Sequence, residues 1–153
     1  MPVAGGARQR LSGARAGGQD RLTPAAGIVH LTSSRLSLGR AHLLASTVIR
    51  DARRAGFPIR SLTPLGSLRR YAPDVGDVSL LAVAPPDRYT NLLNVFIRLP
   101  FVARVIAVAA SSATVATERG AVTLRFAAPE DAGAALVWHT GSRTHTARLQ
   151  ARA

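Results

Sequence analysis

The chain has 153 residues, of which 47% are hydrophobic, so it is long enough for one folded domain with a core and is not a disordered polar tail. It contains no cysteine, which excludes a disulfide scaffold and cysteine-based zinc sites. Its 20 basic residues, all arginine, outweigh 8 acidic ones for a net charge of +12, which favours a polyanionic partner such as nucleic acid, the alternative being a solvated basic surface without a partner.

Residues 1–19 carry arginines among several glycines and contain no apolar run, so we predict a flexible basic arm and no secretory signal. The longest apolar stretch, residues 101–116, is interrupted by Arg104 and two serines and is too polar to span a bilayer. We therefore expect a soluble intracellular protein without a membrane partner, in a compartment that the sequence does not identify.

The first half of the remaining chain predicts one long helix and two strands. Residues 20–30 are expected to form a short helix or turn. Ser37 or Ser34 is placed to cap a helix whose apolar stripe ends before Gly56, and this stripe consists of Ala41, Leu44, Ala45, Val48, Ile49 and Ala52. Residues 59–65 and 78–84 read as strands, and the second is apolar on both faces, which is typical of a central strand.

The second half predicts two more helices around a hairpin, followed by a basic helix. Asp87 is placed to cap a helix over residues 88–98, and residues 102–108 and 113–117 read as a strand with a break. Residues 118–120 form a hairpin turn to a strand at 121–126, Glu130 and Asp131 open a helix to residue 136 or 137, residues 138–142 form a turn, and residues 143–152 form the last helix. The sum is an α+β fold, a small mixed sheet of three to five strands with helices packed on one side.

Residues 65–77 join a glycine–serine turn, two arginines and a glycine–aspartate pair directly ahead of an apolar strand. Gly66 lets the backbone approach a phosphate closely, and Ser67, Arg69 and Arg70 supply hydrogen-bond donors to it. Asp77 stands where the strand emerges, a position from which a carboxylate can hold a metal ion.

This segment resembles the nucleotidyltransferase signature of the DNA polymerase X family, the relatives of polymerase beta, which reads Gly-Ser, paired arginines and then Gly-Asp-x-Asp. Residues 133–142, Gly-Ala-Ala-Leu-Val-Trp-His-Thr-Gly-Ser, are similar to that family's Gly-Ala-Ala-Leu-x-Tyr-Phe-Thr-Gly-Ser. The resemblance covers residues 20–153. It implies a nucleotidyltransferase palm over residues 20–142, with residues 143–153 as a remnant of the region that contacts the nascent base pair.

The resemblance also implies which residues meet a ligand. Nucleotide or phosphate binding falls on a group at the two motifs and just upstream of them: Arg35, Gly66, Ser67, Arg70, Trp138, His139, Thr140 and Gly141. DNA contacts fall on Arg143, Thr146 and Arg148 of the last helix. Trp138 and His139 stand where the family has the Tyr-Phe pair of its sugar pocket.

Members of the family hold two magnesium ions with three catalytic aspartates, and this chain departs from the family at these positions. Asp77 keeps the first, Ser79 replaces the second, and the third falls on Thr123. At roughly 4 Å and an effective dielectric constant near 20, each lost charge pair weakens metal binding by about 4 kcal/mol. Asp77 alone is a poor metal site, and a structural role as a turn cap competes with it.

We therefore predict a catalytically inactive polymerase X-like protein without a cofactor, a catalytic fold exapted as a DNA-binding, structural or scaffolding module. Its expected partners are DNA or a nucleotide phosphate, together with a protein in a replication, repair or viral assembly. The alternative is an active polymerase X-type nucleotidyltransferase of repair or replication that binds Mg²⁺ through Asp77 and an altered ligand set. A purely structural protein that binds neither nucleotide nor DNA is a third possibility.

Overall fold

A computed structural model describes residues 35–59 and 61–151; the predicted basic arm and the segment at 20–30 lie outside the described residues. The helices and strands of this part are, in chain order, β1 (Leu36–Ser37), α1 (Leu38–Arg54), β2 (Leu62–Pro64), α2 (Gly66–Arg69), β3 (Asp74–Val75), β4 (Val78–Val83), α3 (Tyr89–Phe96), β5 (Arg104–Ala109), β6 (Ser112–Thr117), β7 (Gly120–Ala127), α4 (Ala132–Thr140) and α5 (Arg143–Gln150). Short 3₁₀ turns, Pro86–Arg88 and Pro129–Asp131, lead into α3 and α4.

Five strands form one mixed sheet in the order β2-β4-β7-β6-β5. The central pair β4 and β7 is parallel, while the other neighbours run antiparallel. A separate two-stranded sheet joins β1 to β3. The α+β class and the small mixed sheet predicted from the sequence are thereby confirmed.

Helix α1 forms because its apolar residues recur at helical spacing on one face. Five of them are buried in the main core: Ala41, Leu44, Ala45, Val48 and Ala52. Arg53 and Arg54 occupy the last turn, where the helix dipole favours cations. Ser37 is the N-cap residue, as predicted, but its side chain makes no capping hydrogen bond. The prediction is therefore right for the position and wrong for the side-chain cap.

The two faces of the sheet differ in chemistry. Alternate residues of β4, β6 and β7, among them Leu80, Val115 and Leu124, are buried against α1 and α3 in the main core. On the opposite face a smaller apolar cluster of Leu65, Leu81 and Ala127 packs with α4. That face also carries polar side chains of three strands, among them Ser79, Thr123 and Arg125; we call it the polar face, and it carries the predicted site.

Several predicted elements differ in detail from the structure. The first strand begins at Leu62 rather than at Ile59, and Asp87 lies in a 3₁₀ turn without making a side-chain cap. The turn predicted over residues 138–142 is wrong, because α4 continues to Thr140. In the described ranges no helix combines the length and apolar character needed to cross a bilayer.

Candidate functional site

Three hydroxyl side chains occupy adjacent positions on three neighbouring strands of the polar face. Ser79 of β4 is in register with Thr123 of β7, and Thr123 is in register with Thr114 of β6. Paired residues of neighbouring strands project to the same side of a sheet, so the three hydroxyls form one row. We call Asp77, Ser79, Thr123 and Thr114 the hydroxyl row with its acid.

The members of this row hydrogen-bond to one another. The Ser79 hydroxyl donates to Oδ2 of Asp77 at 2.8 Å, and the hydroxyls of Thr114 and Thr123 lie 2.9 Å apart. Ser79 is only 7% exposed, whereas Asp77, directly ahead of β4, is exposed. The three hydroxyls of the row are therefore hydrogen-bonded within the protein, and the row has a single carboxylate, Asp77, at one end. Across residues 35–59 and 61–151, no three His, Asp or Glu side chains gather in a way that holds a metal ion.

The glycine–serine turn forms the short helix α2 beside this row. Gly66 opens it with a φ of +60°, a conformation that glycine adopts without steric cost, and the main-chain N–H of Leu65 donates to the Ser79 carbonyl at 2.9 Å. Leu68 anchors α2 in the main core. The loop is thus tied by its backbone to the strand that carries Ser79.

The two sequence motifs meet in space, although about seventy residues separate them in the chain. The guanidinium of Arg70 donates to the main-chain carbonyl of Thr140, and a Cβ built on Gly66 would lie 3.8 Å from the carbonyl oxygen of His139. Arg70 and Gly141 also line one open cavity of about 420 Å³, whose wall comprises Arg70, Val137, Thr140, Gly141, Ser142 and His145. The structure therefore brings the end of α2 and the end of α4 together.

The end of α4 contains an unusual polar atom and a tight contact. The Thr140 hydroxyl is buried and has no hydrogen-bond partner among the described residues. Gly141 follows, and a Cβ there would lie 3.1 Å from the Thr146 hydroxyl, so a larger residue would crowd the Thr146 side chain. Ser142 caps α5, because its hydroxyl accepts a hydrogen bond from the His145 N–H at 3.2 Å.

His139 and Trp138 belong to the same helix but have different surroundings. Trp138 is 45% exposed, and neither residue lines the cavity next to Arg70. Burial lowers the pKa of the His139 imidazole below its ordinary value of 6.5, and the positive charge of Arg125 lowers that pKa further. Arg125 lies on β7 two residues beyond Thr123, which places a cation on the polar face near the row.

Arg35 and the last helix hold the remaining residues that the resemblance implied. The Arg35 guanidinium donates to the Asp74 carboxylate and to the Asp74 carbonyl, so it links the start of the described chain to β3. The Thr146 hydroxyl donates to the Ser142 carbonyl at 3.0 Å, and Arg148 is exposed. The side chain of Arg143 lies outside the described part of the structure.

Sequence reasoning missed Thr114, although the signal was present. The two-residue loop at Glu118 and Arg119 fixes the hairpin register, and that register places Thr114 opposite Thr123. The resemblance placed Asp77 and Ser79 at two metal-binding positions of one motif, and in the structure their side chains are hydrogen-bonded.

No protein-family model and no curated protein matches the chain. Its structure is similar to solved structures of polymerase beta from Leishmania infantum. A ternary gap complex has a TM-score of 0.65 and 16% sequence identity, and the match covers 74% of this chain and 45% of that chain. A ternary P/T complex has a TM-score of 0.65 and 18% sequence identity, and the match covers 74% of this chain and 51% of that chain. The chain thus has a polymerase beta-like fold and spans about half the length of these neighbours.

Proposed function

We propose that this chain is a polymerase beta-like palm that binds the phosphates of DNA and does not catalyse metal-dependent nucleotidyl transfer. In this proposal it acts as a DNA-binding or scaffolding module. The observation that carries it is the hydrogen bond from Ser79 to Asp77, at the position where the resemblance implies a second metal-binding aspartate. A hydroxyl that donates to the remaining carboxylate occupies one of its lone pairs and brings no charge.

The donor set supports the inactive form. A pair of Mg²⁺ ions in a phosphoryl-transfer site requires several anionic oxygens, whereas the row offers one carboxylate and three neutral hydroxyls. The Thr114 and Thr123 hydroxyls are already bonded to each other. These side chains do not fit a two-metal site, and we route no chemical step through one.

The opposite side of the site supports phosphate binding. Arg69 and Arg70 are both exposed at the end of α2, and a guanidinium carries five N–H donors, so the bond from Arg70 to Thr140 leaves others available. Arg125 adds a third cation on the polar face, and the whole chain carries a net charge of +12. Such an arrangement attracts a phosphate backbone and holds it by charge-assisted hydrogen bonds.

The similar structures support DNA as the partner only indirectly. They are ternary complexes of polymerase beta, and this chain covers about half of each. The proposal includes the contacts that the resemblance implied for other residues: Ser67, Trp138 and His139 with a nucleotide or phosphate, and Arg148 with DNA. A protein partner in a replication, repair or viral assembly would use the same scaffold.

The alternative is an active nucleotidyltransferase, and the exposure of Asp77 favours it. A solvent-facing carboxylate directly ahead of β4 is able to take up Mg²⁺ when substrate phosphates complete the ligand set. In that case Asp77→Ala abolishes nucleotide incorporation, whereas in the proposal above wild type and Asp77→Ala are equally inactive.

The test of phosphate binding compares two double variants of equal charge. Arg69→Ala with Arg70→Ala removes the cations at α2, and Arg88→Ala with Arg98→Ala removes two exposed arginines that flank α3, the helix packed on the other face of the sheet. Fluorescence anisotropy with labelled duplex DNA over a salt series measures affinity and its salt slope. We expect the α2 variant to lose about tenfold in affinity and about two units of slope.

The matched variant is expected to change affinity only slightly, because its arginines steer DNA from a distance without contacting it. Equal losses in the two variants would show that net charge alone attracts DNA and would contradict a phosphate site at α2. Wild-type protein that binds no DNA at low salt would contradict the proposal as a whole and favour a purely structural protein. Thermal unfolding of each variant confirms that the fold is intact.

A further inference from the structure

Tyr71 has an unusual backbone conformation for its residue type. Its φ is +55°, in the left-handed region, and among the described residues it is the non-glycine residue with a positive φ. A side chain with a Cβ adopts this conformation at a steric cost, which is why glycine or asparagine usually occupies it. A bulky aromatic residue there requires a compensating reason.

Packing inside the protein does not supply that reason. The side chain of Tyr71 is 76% exposed, whereas Tyr89, the other tyrosine of the chain, stacks on Phe126 with ring centroids 5.2 Å apart. An exposed tyrosine contributes little to the core, and relief of the backbone cost would favour a smaller residue at this position. The ring therefore faces solvent and is accessible to a ligand.

The backbone holds this ring on a defined turn. The N–H of Tyr71 donates to the Leu68 carbonyl at 3.1 Å, the N–H of Ala72 donates to the Ser67 carbonyl at 3.0 Å, and Leu68 itself is buried. Tyr71 directly follows Arg69 and Arg70, both exposed. The nearest carboxylate along the chain, Asp74, is paired with Arg35, so the turn presents an aromatic ring next to two cations.

We propose that Tyr71 is a stacking platform for an unpaired nucleobase, held while Arg69 and Arg70 bind the phosphates on either side of that nucleotide. Aromatic rings bind bases of any sequence through their faces, and arginines track the backbone between them. The two adjacent arginines and the net charge of +12 favour a polyanionic nucleic acid as the partner of this ring. This inference rests on the proposed phosphate binding and adds a preference for single-stranded DNA and for bases over bare phosphates.

The experiment compares two variants and two probes. Tyr71→Phe keeps the ring, while Tyr71→Asn removes it but tolerates the left-handed conformation. The probes are a fluorescent oligothymidylate and an abasic strand of the same length, which has the same phosphates without bases. Anisotropy at one salt concentration gives the affinity of wild type and both variants for each probe.

We expect wild type and Tyr71→Phe to bind the oligothymidylate tighter than the abasic strand, and Tyr71→Asn to lose about 5- to 150-fold on the oligothymidylate alone. The melting temperature of Tyr71→Asn is expected to equal or exceed that of wild type, which excludes unfolding as the cause. Equal affinity of wild type and Tyr71→Asn for the oligothymidylate would overturn the stacking role while leaving phosphate binding intact. A wild type that binds neither probe would overturn the proposed function together with it.

Discussion

The two halves of the candidate site differ in whether their polar groups are already paired within the protein. In the hydroxyl row with its acid, donors and acceptors are paired internally, Ser79 with Asp77 and Thr114 with Thr123. At the end of α2, Arg69 and Arg70 are exposed, and of the hydrogen bonds that Arg70 can donate, one goes to Thr140. In the proposed function, the first half does not hold a metal ion and the second binds a phosphate.

This difference is the physical reason why, in the proposed function, the chain keeps the sequence motifs without the metal chemistry. The backbone framework of the site depends on buried apolar contacts and on strand pairing, which neutral hydroxyls do not disturb. The metal chemistry depends on charge, which a serine and a threonine do not supply. The proposed function therefore requires only that the fold and the phosphate-binding arginines remain when the metal-binding aspartates are replaced.

The largest expected effect comes from adding carboxylates to the hydroxyl row with its acid. In Ser79→Asp with Thr123→Asp, two new charges lie near Asp77 in a partly buried row, and each pair of like charges about 4 Å apart costs about 4 kcal/mol at an effective dielectric constant near 20. In the presence of a chelator we expect this variant to unfold at a much lower temperature than wild type. Mn²⁺ is expected to raise that temperature part of the way back, because it would bind between the carboxylates. Thermal unfolding with and without Mn²⁺ measures both.

The control for this prediction is Thr90→Asp with Asn94→Asp, which adds the same charge at exposed positions of α3. This control is expected to unfold near the wild-type temperature, and Mn²⁺ is expected to leave its unfolding temperature unchanged. Should the row variant behave like the control, the three side chains would not lie close together, and the comparison between the two halves would fail.

A smaller effect tests whether the two threonines satisfy each other. Thr114→Val or Thr123→Val alone leaves one hydroxyl unpaired in a partly buried row and is expected to cost about 1–2 kcal/mol. The double variant removes both partners and is expected to cost less than the sum of the single changes. Urea unfolding of the four proteins measures this coupling, and simple additivity would argue against the hydrogen bond.

The ion pair between Arg35 and Asp74 is expected to contribute still less. Both side chains are more than half exposed, 62% and 52%, and exposed pairs contribute about 0–1 kcal/mol. Arg35→Ala is therefore expected to lower the free energy of unfolding by at most about 1 kcal/mol, and added salt should reduce the difference. A larger loss would mean that the small β1–β3 sheet depends on this pair.

The smallest effect concerns pH. Because the pKa of His139 is lowered in the folded chain, the unfolded chain takes up the proton first as the pH falls below 6.5. The contribution of neutral His139 to stability is therefore complete above that pH and is lost below it. We expect wild type to lose slightly more stability than His139→Gln between about pH 7.5 and pH 5.5 in urea unfolding. The opposite order would contradict the burial of this imidazole.

Local patterns predicted much of the fold. The apolar stripe of α1, the hairpin at residues 118–120 and the strand character of β4 follow from spacing within a few residues. The extent of α4 was not predictable in this way. Gly141 and Ser142 read as a turn, whereas Gly141 ends the helix through its N–H bond to the Val137 carbonyl, and Ser142 begins the next helix.

The candidate site was less predictable, because its contacts join distant parts of the chain. The link between Arg70 and Thr140 and the register of Ser79 with Thr123 depend on how the elements pack, which no periodicity reports. Tyr71 was not singled out, since a positive φ at a tyrosine has no sequence signal. The motif resemblance named most of the participants, and the structure determines which of them meet.

The most direct test of the central claim is nucleotide incorporation on a gapped DNA substrate with Mn²⁺, at protein concentrations where anisotropy shows that DNA is bound. The proposed function predicts bound DNA and no extension above background, with wild type and Asp77→Ala indistinguishable. Extension by wild type that Asp77→Ala abolishes would contradict it and establish an active transferase.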